Sequence, residues 1–485
     1  MRRGFFLTIF ISLVLLPLFY FCSSEENETS DTSTQDAATD TIIHTDISIS
    51  PDTISDDTED IISDATDVSD TISDVTTDGT SCDSGICDIE PDGESDIEED
   101  ISDSDAMGGD DGEGIEDIED GGDNDGGGNE NIKIMSIGGA ANEEGTSIFY
   151  NGNDIFIAGH SYNEDYSNSD IFLARLNEKT LTNTFDYQEF DMAFGITELN
   201  GVLYVGGYTG SSGSFKGLLG IFDNELKATG EYTFSEQNKD VQFFSMKRLD
   251  DYHFVLAGFV SGSDSDAAVY ILDTGGNVTK KKIITKNLDQ EFYSVDVDKD
   301  KNIVLAGIDV VDNINFADIY VVKMDSSLNV LWEKRIGSRE LDGAYYVRAL
   351  QNGNIVVGGY TEKDKSNFGR EAYVILLDKD GNILWDRTFG ITGDDEVRGI
   401  IEDDSGNIVI GLVTNIYDPF SSIGYADIFR LSSENGDVMD SQALCDDATI
   451  FDIIKYENGY LLVGGFYNPP PGQGDSDVLL IKVVF

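Results

Sequence analysis

From residue 131 onward, apolar residues come in short runs that partly alternate with polar ones, and the runs are cut by turns rich in Asn, Asp and Gly. The stretch 318–360 shows the pattern best, with runs at 318–324, 329–335, 344–350 and 354–360 joined by turns at 325–328 and 351–353. Alternation with period two, bounded by such turns, predicts antiparallel hairpins. No stretch of 131–485 carries a long helical period. The predicted elements are short strands, four to each repeat.

One strand of each repeat ends in a Gly-rich step. The steps are Ile157-Ala158-Gly159, Val205-Gly206-Gly207, Leu256-Ala257-Gly258, Leu305-Ala306-Gly307, Val357-Gly358-Gly359, Ile410-Gly411-Leu412 and Val463-Gly464-Gly465. Their last residues lie 48, 51, 49, 52, 53 and 53 positions apart. A period near 50 built from short strands is the signature of a β-propeller. The expected fold class is therefore all-β, a seven-bladed β-propeller over 131–485. The glycines follow apolar strand residues at a constant offset, which places them where backbones crowd near an axis. The two ends complement each other. Residues 131–139 match the second strand of a repeat, and 477–485 match the first strand that is missing there. The C-terminal strand is expected to close the ring and so protect sheet edges.

The run Asp378-Lys379-Asp380-Gly381-Asn382-Ile383-Leu384-Trp385-Asp386-Arg387-Thr388-Phe389-Gly390, followed by Asp394-Asp395-Glu396-Val397 and Ser405-Gly406-Asn407-Ile408-Val409-Ile410-Gly411, resembles the SBBP and delta-60 type β-propeller repeats of bacterial exported proteins. The likeness covers 131–485 and is clearest at 318–414. It implies a scaffold and carries no shared catalytic residues. Trp332 and Trp385 hold the same repeat position and read as blade-packing residues.

Charge divides the chain into zones. Residues 23–130 hold 38 of the 94 acids and none of the 30 bases. With low hydrophobicity and like charge, this segment cannot offset the entropy lost on ordering, and it reads as a disordered acidic tether. The formal net charge of −64 argues against nucleic acid as a partner and against docking on anionic lipid through a basic patch. Residues 1–22 form a targeting segment, with Arg2 and Arg3 ahead of an apolar run from Phe5 to Phe21, and then Cys22. This resembles a bacterial lipoprotein signal, in which Cys22 would be lipidated, although Phe21 stands where such signals carry a small residue. Cleavage after Ser24 and a retained apolar helix are the alternatives. Each of them exports the rest of the chain, to the outer membrane or cell surface if lipidated and to the medium if secreted.

Cys82 and Cys87 bracket four residues inside the tether and would pair as a disulfide in an oxidising compartment. Cys445 is left as an unpaired thiol. The three histidines, His44, His160 and His253, form no metal-ligand spacing, and no nucleophile elbow accompanies them. No metal or cofactor is expected. The acid-rich turns at 296–302 and 378–382 fail the EF-hand pattern at its sixth and twelfth positions and read as hairpin turns.

Long loops on a rigid scaffold are where binding usually lives. Three of them are aromatic: Tyr162 and Tyr166; Tyr417, Phe420 and Tyr425; Phe466 and Tyr467. Ring closure would gather them, with Asp165, Asp418 and Asp475, into one ledge that binds a protein or a glycan. The simpler alternative is that these rings pack their own loops. The reading reached from sequence is an exported, membrane-tethered, monomeric, non-catalytic binding scaffold at the bacterial envelope. A carboxylate-dependent hydrolase or lyase on the long-loop face and a purely structural envelope protein are its rivals. Mass spectrometry of the mature N-terminus is expected to find an acylated Cys22, and Cys22→Ser is expected to leave the membrane fraction. A free N-terminus near Glu25 would replace the anchor with simple secretion.

Overall fold

The computed structural model describes residues 115–117 and 131–485, apart from 140, 164–165, 212, 238, 312–315, 339, 363–368, 391–392, 419–422 and 468–475. Cys22, the tether except Ile115–Asp117, its Cys82 and Cys87, and Phe420 lie outside the described residues. Those described form strands and turns without a helix, as the alternation predicts. The fold is an all-β repeat of the β-propeller type, made of four-stranded antiparallel sheets that follow one another along the chain.

The sheet carrying Gly307 is representative. Its strands are Gln290–Val297, Ile303–Val310, Ala317–Met324 and Val330–Ile336, paired in that order. The first is the inner strand, the second carries the Gly step and runs on past it to Val310, and the fourth is outermost. Inner, step and third strands are almost continuously buried, whereas the outer strand alternates between exposed and half-buried residues. Strands covered on both faces need apolar runs, while a strand at the rim needs only one apolar face. The sequence repeat is thus out of phase with the sheets. The strands beginning near Asp318 and Val330 are the third and fourth of one sheet, and the strand beginning near Ala344 opens the next. Hairpin turns of similar length join strands within a sheet and within the sequence repeat alike, so spacing alone does not separate the two phases.

Among the described residues neighbouring sheets are joined at three places, one of them a parallel bridge from Ala317 to Leu341. The 19-residue strand Val438–Tyr456 is outermost in the Gly411 sheet at its start and innermost in the next sheet at its end. A single parallel bridge, Ser169 to Phe190, links the first two sheets. The last strand, Asp477–Val483, pairs with Gly459–Phe466 on one side and with Ile132–Ile137 on the other, from Ile132 opposite Val483 to Ile137 opposite Val478. Ile115–Asp117 adds a further strand outside Ile132–Ile137.

Every inner strand carries a β-bulge at the same place. The bulged residues are Thr146, Phe194, Phe244, Tyr293, Tyr345, Arg398 and Phe451. The bulge drives the carbonyl two residues earlier into the space that a Cβ would fill on the step glycine. A Cβ on Gly159, Gly207, Gly258, Gly307, Gly359 or Gly464 would lie 1.8–2.0 Å from that oxygen. The glycines are required by this close approach. The register also moves the last step residue of the seventh repeat from Gly465 to Gly464, opposite Ile450. The Gly411 sheet has Leu412 at the equivalent position and a second register shift, between Asp394 and Glu396.

Each inner strand packs on the next, and Val438–Tyr456 packs in turn on Asn142–Tyr150. Side chains one residue past the bulge tie them together. Ser147, Ser245 and Ser294 Oγ accept from the amides of Ile196, Val295 and Val347, and Asp452 Oδ2 accepts from Ile148 N at 3.3 Å. Apolar clusters fill the spaces between sheets. One of them joins Ile148, Ile157 and Phe172 to Leu461, Val463 and Val478. Trp332 and Trp385 bridge adjacent sheets, their indole N–H groups donating to Lys379 O and Ser433 O. Gly307→Ala is expected to lower the urea-unfolding free energy by about 1–3 kcal/mol, the usual cost of overpacking. Gly230→Ala, whose Cβ would meet nothing closer than 3.6 Å, should stay within about 0.5 kcal/mol of the parent. Equal effects of the two would remove the close-approach argument.

Candidate functional site

The bulge turns one side chain of each inner strand toward the inner face of the stack. Five of the seven are Phe or Tyr, and four of them, Phe194, Phe244, Tyr293 and Tyr345, form an arc with rings from the step strands. His160 lies 6.3 Å from Phe194, Phe194 5.1 Å from Phe244, Phe244 5.7 Å from Tyr293, Tyr293 6.0 Å from Tyr345, and Tyr345 5.5 Å from Tyr360, measured between ring centroids. Each such pair contributes about 0.5–1.5 kcal/mol beyond its buried area. The arc ends on cations. Arg398 lies over the Tyr345 ring at 4.2 Å and Arg370 over the Tyr360 ring at 4.5 Å, and both guanidinium groups bond to the buried carboxylate of Glu396. Sequence reasoning missed this arc. Its signal was present, since the bulged residue stands 13 or 14 positions before the step residue in every repeat.

Buried carboxyls lie at the starts of the inner strands. Burial pushes Asp191 and Asp395 up to about 6 and Glu291 up to about 7, against hydrogen bonds that favour the ionised forms. Tyr293 donates its hydroxyl proton to Glu291, and Thr209 donates to Asp191. Asp170, Asp186 and Asp191 bring carboxylate oxygens within 4.8 Å of one another, a spacing that an oxygen-ligated cation could use. The Asp191 oxygens are already engaged, by Thr209 and by the amides of Tyr187 and Gln188. The same wrapping of a loop amide onto a carboxylate recurs at Asp342, from Ser338 N, and at Glu143, from Gly139 N. The arrangement is therefore a joint between strands. The acid-rich turns satisfy their own carboxylates: Asp298 Oδ1 accepts from the amides of Asp300 and Asn302, and Asp378 Oδ1 from those of Asp380 and Asn382.

The aromatic loop residues distribute unevenly. Tyr162, Tyr166 and Tyr467 gather around Glu144. Tyr467 Oη donates to Glu144 Oε1 at 2.6 Å, and His160 Nε2 lies 3.1 Å from Glu144 Oε2. Tyr162 packs edge-on against His160 at 4.8 Å and against Tyr166 at 5.4 Å. Burial raises the Tyr467 and Tyr162 hydroxyls well above the ordinary tyrosine range, with the Glu144 charge adding to it. Tyr166 has φ 55°, the left-handed region, which costs a bulky residue about 1–3 kcal/mol. Its amide donates to Asn163 O. Phe466 packs instead inside its sheet, with Ile416, Ala426 and Ala448. Tyr425 is 40 % exposed, across from Thr414. Tyr417 and Asp418 end a strand whose side chains there are not described, and Phe420, Asp165 and Asp475 lie outside the described residues. Cys445 is a free, half-buried cysteine, its thiol pushed up to about 12 by burial and by the Asp446 and Asp427 charges.

No protein-family model and no curated protein matches the chain. Among solved structures, Sqt1 of Chaetomium thermophilum is 10 % identical over 72 % of this chain and 97 % of its own, with a TM-score of 0.45. A chain of a mitotic checkpoint complex is 14 % identical over 72 % of this chain and 89 % of its own, with a TM-score of 0.43. A protein of unknown function from Bacteroides caccae is 11 % identical over 56 % of this chain and 84 % of its own, with a TM-score of 0.36.

The buried Glu291 yields a pH dependence. Its folded value, raised to about 7, means that the folded chain holds a proton that the unfolded chain releases near the ordinary glutamate value. Its contribution is therefore fully present below the unfolded value, falls as pH rises, and is lost above about 7. Glu291→Gln should flatten the decline in urea-unfolding free energy between pH 5 and pH 8, by roughly 1–3 kcal/mol at about 1.4 kcal/mol per pH unit. Parallel pH profiles for parent and variant would show that Glu291 is not buried as described.

Proposed function

We propose that this chain is a seven-bladed, ring-closed β-propeller, exported and held by an N-terminal lipid anchor on an acidic tether, and that it binds a protein or a glycan at the bacterial envelope without catalysing a reaction. Two contacts support closure: the pairing of Asp477–Val483 with Ile132–Ile137, and the packing of Val438–Tyr456 on Asn142–Tyr150. The observation that carries the binding reading is the cluster of Tyr162, Tyr166 and Tyr467 around Glu144 and His160, where rings from the first and seventh repeats meet beside long loops. Aromatic faces with polar tips fit sugar rings and peptide side chains, and a rigid scaffold limits the entropy lost on binding. Strain at Tyr166 fits a side chain held for contact.

The hydrolase reading has less support. Glu144 has its two oxygens occupied by Tyr467 and His160. Catalysis by paired carboxylates needs one that is free to exchange a proton with substrate.

The test uses the mature protein on a glycan array and in pull-downs from envelope extracts. Tyr166→Ala and Tyr467→Phe should each weaken a captured ligand at least tenfold without lowering the melting temperature by more than a few degrees, and the ligand should be recovered unchanged. Undiminished binding by both variants would exclude this face, and turnover of the ligand would restore the enzyme reading.

A further inference from the structure

The outer strands leave backbone edges that other chains can use, because every second residue of an edge strand turns its N–H and C=O away from the sheet. Charge separates these strands. Thr180–Phe185 is uncharged, and four others carry an acid: Glu231, Glu333, Asp386 and Asp440. Two carry bases and no acid. They are Ile132–Ile137, with Lys133, and Val278–Ile284, with Lys280, Lys281 and Lys282.

The first of these two edges is occupied. Ile115-Glu116-Asp117 lies antiparallel along Ile132–Ile137, with Glu116 opposite Ser136 and Asp117 opposite Met135, two residues from Lys133. The occupant is thus a short extended segment of one aliphatic and two acidic residues. The second edge is open. Among the described residues Val278–Ile284 pairs with Ser265–Asp273 alone. Lys280 and Lys281 are exposed, the first donating to Ser326 O at 2.6 Å and the second paired with Glu236. Lys282 makes no hydrogen bond or ion pair among the described residues. With a side-chain period of two, Lys280 and Lys282 share one face of the sheet. Val278 is exposed at the start of the strand, and Ile283 and Ile284 are half-buried at its end. Lysines on an edge deter a like-charged strand. Toward an acidic strand they act in the opposite sense, since opposite charges facing each other across a strand pair are favourable.

We propose that the open edge of Val278–Ile284 is a docking site for an extended acidic segment of a partner protein, which adds to the sheet as a fifth strand with carboxylates beside Lys280 and Lys282. Main-chain hydrogen bonds to the edge supply the hold, and the lysine run supplies the choice of sign. The strand seated on Ile132–Ile137 shows the chemistry that such an edge accepts. The site lies on an outer strand, so it is independent of any ligand held by Tyr162, Tyr166 and Tyr467.

The experiment titrates the mature protein with a labelled peptide Ile-Glu-Asp-Ile-Glu-Asp, the sequence of residues 115–120, and follows fluorescence anisotropy. Binding should saturate and weaken as salt is added. Hydrogen exchange at the amides of 278–284 should slow when the peptide is present. Lys280→Glu with Lys282→Glu should weaken binding at least tenfold, and Lys282→Gln, a milder change, severalfold. The same peptide methylated at every amide nitrogen keeps its charges and cannot pair, and it should not bind. Equal binding by the methylated peptide, or by the folded lysine variants, would overturn the proposal, as would the absence of binding by the parent protein. Dimerisation of the protein alone that the double variant abolishes would put a second copy in place of the partner and overturn it as well.

Discussion

In six of the sheets a carbonyl oxygen of the inner strand lies within 2.0 Å of where a glycine Cβ would be. That contact couples three features. It requires the glycine, it permits the bulge, and the bulge aims a side chain at the inner face. Without the bulge, strict alternation would set the inner-strand side chains in a fixed up-down order and give the strand less local twist. With it, Phe194, Phe244, Tyr293 and Tyr345 meet one another, and the next residue is left to hydrogen-bond the neighbouring inner strand. The repeat in the sequence is largely the trace of this one steric requirement.

The inner face is less uniform than the sheets that build it. Rings occupy it from the first repeat to the fifth, and then Arg398 interrupts them. The same region holds Glu291, Asp395 and Glu396, all nearly removed from solvent. A purely apolar axis would have been simpler to stabilise, since buried charge is a weak source of stability. The buried carboxyls recur at the starts of the inner strands, so Arg398, a cation at a bulge position, marks where this scaffold departs from its own repeat, and departures of that kind are where function tends to sit.

The strands and their turns were legible because alternation, Asn-Gly turn chemistry and the Gly step are local signals. The pairing of the last strand with 132–137 was legible because both ends match complementary parts of one repeat. The phase of the sheets was not, since pairing between strands leaves no mark on spacing. The sequence-derived aromatic ledge treated loops as equivalent, whereas Phe466 sits on a strand and points into its own sheet while Tyr467, one residue on, reaches Glu144. The side-chain direction of adjacent residues at a strand end depends on register, and register is a tertiary property. The inner arc escaped notice because an aromatic residue on a buried strand resembles ordinary core.

The pairing of Ile132–Ile137 with Asp477–Val483 also imposes an order in time. The early strand is made roughly 345 residues before its partner. At about 5–20 residues per second it waits roughly 17–70 s with an open edge that carries Ile132, Ile134 and Ile137. An unpaired apolar edge of that kind is a template for association with other nascent chains. The segment synthesised just ahead of it holds 38 acids and no base, a composition that keeps neighbouring chains apart by charge. Like charge ahead of that edge disfavours association between chains while the last strand is still missing.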